Sequence, residues 1–142
     1  MQSLVFDIGC KEYDINGDSS RVIRVNTSDW NILRRVSDLK TAIAERVKKL
    51  GEENGDEGFD ALMSRLSEVE GEVREEVDRA FGSPVCDAAF GSLNCLSFAG
   101  GQPVVLNFLN ALLPEMQKDL EAETEQAHRR IEKYTDAAKR FE

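Results

Sequence analysis

The groups in this chain that could do chemistry are few: three cysteines, a single histidine and one acidic turn. Cys10, Cys86 and Cys95 include no C-x-x-C pair, and an odd number fits reduced thiols better than a disulfide framework. Small buried apolar side chains are the plain reading of all three. Cys86 also allows another: if Ser83-Pro84 opens a helix, this thiol lies in the first turn, where the helix dipole favours a thiolate. Asp14-Ile15-Asn16-Gly17-Asp18-Ser19-Ser20 sets oxygen ligands at alternate positions, as a calcium loop does. Yet Ser19 stands where the sharp turn needs glycine and Val25 where the bidentate carboxylate belongs, so the segment reads as a hairpin turn. His128 lies beside Arg129 and Arg130 on a charged helix, and one histidine without a cysteine cluster composes no zinc site. Asn26-Thr27-Ser28 matches a glycosylation sequon but reads as helix-capping chemistry. Glu68, Glu70, Glu72, Glu75 and Glu76 fall in a helical surface run, and no nucleophile elbow, phosphate loop or dinucleotide fingerprint occurs. The expectation is a protein that is not an enzyme and carries neither cofactor nor metal.

Size and charge narrow the partners. At 142 residues the chain suits a single domain over 1–142. Its net charge of -9 repels phosphate backbones and anionic lipid, which argues against nucleic acid and membrane surfaces. No stretch approaches the roughly 20 apolar residues of a membrane span, and Met1-Gln2-Ser3-Leu4 lacks the basic and apolar regions of a secretory signal. A soluble cytoplasmic protein is expected.

The elements that must position any site follow from periodicity. Leu4, Phe6 and Ile8 alternate with Val5 and Asp7; Tyr13 and Ile15 resume the pattern after Gly9-Cys10-Lys11, and Val22 to Val25 add a third run after Asn16-Gly17-Asp18. This predicts a small antiparallel β meander over 1–26 with one face to be covered by helices. Thr27, Ser28 and Asp29 can each cap a helix over 29–50, marked by Ile32, Val36, Leu39, Ile43 and Val47 and stopped by Gly51. The acidic, glycine-rich stretch from Gly51 to Gly58 predicts an exposed loop, and Phe59, Leu62, Leu66, Val69, Val73 and Val77 predict a second helix over 59–81, antiparallel to the first. Ser83-Pro84 predicts a short helix over 84–90, and 94–102 a loop. A last helix over 103–141 should be kinked or broken near Pro114; beyond it Leu120, Ala127, Tyr134 and Phe141 recur every seven residues, with Ile131 and Ala138 beside them. The fold class is α+β, mainly helical.

Two Phe-Gly steps, Phe81-Gly82 and Phe90-Gly91, lie between the helical hairpin and the apolar run Val104 to Leu113. As plain structure, the rings are core plugs and the glycines helix stops. The apolar set Phe98, Val104, Val105, Phe108, Leu109, Leu112 and Leu113 exceeds what one helical face hides, which suggests a groove for a partner segment.

The residues Val77-Asp78-Arg79-Ala80-Phe81-Gly82, Ala89-Phe90-Gly91 and Asn107 to Glu115, in this order of elements, resemble tail assembly chaperones of long-tailed phages and prophages of Gram-positive bacteria. The chain departs from that pattern in Ser83-Pro84-Val85-Cys86, where glycine is more usual, and in a longer charged last helix. The resemblance implies a cytoplasmic protein of the bacterial host cell that coats the apolar, helical tape measure protein before tail tube subunits polymerise. On that reading Phe81, Phe90, Phe98, Phe108 and Leu112 contact the partner, while Leu120, Ile131 and Tyr134 join copies into a homo-oligomer. The alternative is a structural or adaptor protein, such as a small virion component or a coiled-coil oligomer, in which the last helix is a permanent self-association element.

Overall fold

The computed structural model describes residues 1–52 and 58–139, with side chains up to residue 136. It is an α+β fold, mainly helical. Two strands, β1 (Cys10–Ile15) and β2 (Asp18–Asn26), form an antiparallel hairpin. Asn16 and Gly17 both take positive φ, 54° and 80°, the two-residue turn whose twist matches the flanking strands. Asp14 fastens it by accepting the Gly17 amide at 3.1 Å. The acidic stretch is therefore a turn, as its Asn-Gly pair predicts.

The expected meander is corrected to this single hairpin. Leu4 to Ile8 form no strand, because Cys10 and Lys11, expected in a turn, pair instead with Asn26 and Val25. The inward face of the hairpin, Ile23 and Val25, is buried beneath the helices.

Helix α1 (Trp30–Glu52) begins at Asp29, whose carboxylate accepts the amides of Asn31 and Ile32 at 2.8 and 3.4 Å. Of the three candidate caps Asp29 serves, while Asn26 donates to the Ile8 carbonyl. Gly51 does not stop the helix; the loop expected after it lies largely outside the described residues. Helix α2 (Phe59–Phe81) runs antiparallel to α1, since Arg35 donates to the Ala80 carbonyl at 3.1 Å and Arg46 reaches both Glu72 and Glu76. Val36, Ile43, Val73 and Val77 fill the seam without solvent exposure.

After α2 come a five-residue helix α3 (Cys86–Phe90), a two-stranded ribbon of β3 (Phe98–Ala99) and β4 (Gln102–Pro103), and helix α4 (Val104–Lys139). The ribbon, turned by Gly100 and Gly101 at φ 64° and 84°, replaces the expected loop. Helix α4 is not broken at Pro114: the proline is exposed, and buried Leu112, Leu113 and Met116 around it hold the helix on the core. From Glu121 to Asp136 every side chain of α4 is exposed. Phe141 and the side chain of Ala138, part of the expected seam, lie outside the described residues.

Candidate functional site

The two Phe-Gly steps are built by different means. Gly82 ends α2 in the left-handed region (φ 70°, ψ 18°), its amide reaching the Arg79 carbonyl at 3.2 Å while that of Ser83 reaches Asp78 at 3.2 Å. Helix α3 then starts two residues later than Ser83-Pro84 predicts. Ser83 does not cap it; its hydroxyl turns to the Arg24 carbonyl, and the Asp78 carboxylate from α2 accepts the amides of Val85 and Cys86 at 2.9 and 3.0 Å. Gly91 closes α3 at φ 56°, ψ -127°, its amide bonded to the Asp87 carbonyl.

Two arginines fix the far end of α3. Arg21 of β2 donates to the carbonyls of Ala88 and Ala89 at 2.7 and 2.6 Å. Arg74 of α2 pairs with Glu70 at 2.5 Å, donates to the carbonyls of Gly91 and Leu93 at 2.9 and 2.7 Å, and lies 5.8 Å from the centre of the Phe90 ring. Burial works against ionisation of Glu70, but Arg74 and the Cys95 amide outweigh it and hold the carboxyl below its usual range. Asp78, Arg21 and Arg74 read as surface charge in the sequence; only their partners, which lie elsewhere in the chain, show their role.

So held, Phe90 meets Phe108 of α4 edge to face, with ring centres 5.6 Å apart and planes at 79°, and Phe81 packs on the same ring at 6.1 Å. Phe90, Phe108 and Leu112 line one side of a groove of about 410 Å³. Tyr13, Asp14 and Ile15 of β1, Asn16 of the turn and Ile23 of β2 also line it. Asp14 and Glu115 bring carboxylates to the groove, and the Lys11–Asp119 ion pair (2.7 Å) ties β1 to α4. Burial first, then Asp119, raises the Tyr13 phenol above its ordinary pKa.

Of the residues singled out in the sequence, the fold brings together Phe81, Phe90, Phe108 and Leu112; Phe81 is buried behind the groove rather than lining it. Phe98 stands apart on β3, 70% exposed, while its neighbour Ala99 reaches the groove. The apolar excess of the last helix is smaller than expected, since Val105, Leu106, Leu109, Leu112, Leu113 and Met116 are all buried. Leu120 is half-buried, and Ile131 and Tyr134 are exposed. The reactive-thiol reading of Cys86 is corrected: burial, with Asp78 beside it, pushes the thiol far up, and burial pushes Cys95 up to about 12. Among the described residues no three His, Cys, Asp or Glu side chains are placed to hold a metal ion, and no helix is long and apolar enough to cross a membrane.

Comparison with protein families, with curated proteins and with solved structures finds no match to this chain.

Proposed function

We propose that the groove between β1 and α4 receives apolar side chains of a helical client, and that the protein is a tail assembly chaperone whose client is a tape measure protein. The observation that carries this reading is the Phe90–Phe108 pair, fixed from three sides and opening onto a groove walled by Leu112 and Ile15. Pockets that bury small ligands begin near 300 Å³, so a groove of about 410 Å³ takes a few large side chains rather than a whole helix. Such a site gives modest affinity, which suits a chaperone that tail tube protein must displace. The net charge of -9 keeps a loaded complex dispersed.

Co-expression with a tape measure protein tests the proposal. The two should co-purify, and the tape measure protein should become more soluble; separate purification with no gain in solubility refutes the reading. A second reading, a structural or adaptor protein, draws on Ile131 and Tyr134, exposed at 61% and 72% on the free part of α4. It predicts an oligomer of fixed size that stays with finished particles.

A further inference from the structure

We infer that Leu4–Ile8 of one copy is a donor strand that docks on the free edge of β1, in the groove, of a second copy. The segment exposes Leu4 at 91%, Val5 at 95%, Phe6 at 74% and Ile8 at 56%, four large apolar side chains in five residues. Its root is fixed: Asn26 donates to the Ile8 carbonyl at 2.6 Å, and the Gly9 amide donates to the Asp7 carboxylate at 2.8 Å. Gly9 has φ +85°, and a Cβ there would stand 2.4 Å from the Ser28 hydroxyl.

The segment cannot fold back antiparallel onto its own β1. Cys10 is already paired with Asn26, so Gly9 alone separates Ile8 from the strand, whereas the tightest common hairpins need two loop residues. Meanwhile β1 has a strand neighbour only on its β2 side among the described residues. Three consecutive residues of β1, Tyr13, Asp14 and Ile15, border the groove together with Asn16 of the turn, which sets the strand's edge along it and not merely one face. A strand added there pairs with β1 through its backbone and points alternate side chains at Phe108 and Leu112. In Leu4–Ile8 those are Leu4, Phe6 and Ile8; Asp7 falls on the other side, away from Glu115.

Area sets the strength. Burying these three apolar side chains removes roughly 400 Å² from water, and the acceptor walls about double that, the low end for specific association. Assembly is therefore reversible and concentration-dependent. One donor and one acceptor per copy close by reciprocal exchange between two copies or in a larger ring, or else build open chains. None of this rests on the client proposed above.

Light scattering on the full chain over a dilution series tests the inference. Wild type should gain mass with concentration, while Leu4→Ser/Phe6→Ser and, separately, Ala111→Arg in the groove should remain monomeric. All three substituted side chains are exposed, so circular dichroism and melting should be unchanged. Mixing the two variants should give a heterodimer and nothing larger, because only one donor and one acceptor remain. A wild type that stays monomeric to its solubility limit, or a Leu4→Ser/Phe6→Ser variant that associates like wild type, overturns the inference. So does association abolished by Ile131→Ser/Tyr134→Ser alone.

Discussion

Phe108 of α4 receives Phe90 of α3 edge-on, with ring centres 5.6 Å apart and planes at 79°, while Phe81 packs on the same ring at 6.1 Å. Both Phe-Gly steps thus converge on one residue of α4.

Phe108→Ala should therefore destabilise the protein by about 2–4 kcal/mol, less than a fully buried phenylalanine because the ring is only half-buried. Phe108→Leu, which keeps bulk but loses both ring contacts, should cost about 1 kcal/mol. Phe98→Ala, at a 70% exposed position, should stay within about 0.5 kcal/mol of wild type. Urea denaturation of the three variants checks the order.

The two glycines should respond unequally. A Cβ meets nothing within 4 Å at either Gly82 or Gly91, so only the backbone resists substitution. Gly82 lies in the left-handed region that other residues enter at about 1–2 kcal/mol, whereas Gly91, with ψ -127°, lies outside it. Gly91→Ala should lower the melting temperature more than Gly82→Ala.

Pro114→Ala should stabilise. The proline is exposed inside a continuous helix, where it removes a hydrogen bond, and alanine is about 3 kcal/mol better at such positions. A gain of about 1–3 kcal/mol in chemical denaturation is expected; no gain would mean that the helix has adapted fully to the ring.

Glu70 sets an acid limit. Its carboxyl is held below the ordinary 4.5, so its contribution is complete above that pH and is lost as pH falls through the lower folded value. Glu70→Gln should remove this part of the acid dependence. Melting temperature followed from pH 6 downward, a range of about two units around the ordinary carboxylate value, compares the two proteins.

Thiol labelling separates the cysteines. Cys86 and Cys95 are buried with raised pKa values, and Cys10 is half-buried, so one thiol should label in the native protein and three after unfolding. Fast native labelling of Cys86 would contradict its placement.

The sequence by itself determined the helices and the turn. Spacing of Ile32, Val36 and Ile43 and of Val73 and Val77 marks faces that must be buried wherever the helices go, and Asn16-Gly17 takes the positive φ that its turn demands. The Phe-Gly glycines were legible as stops for the same local reason. Tertiary structure alone decided that Leu4–Ile8 stays out of the sheet although it alternates as a strand would, because Cys10 and Lys11, expected in a turn, pair with Asn26 and Val25 instead. It also decided the site: Asp78 caps α3 from seven residues away, and Arg21 reaches Ala88 across 67. No periodicity records such contacts, since a charge on a helix or strand looks the same in sequence whether it faces water or a distant carbonyl.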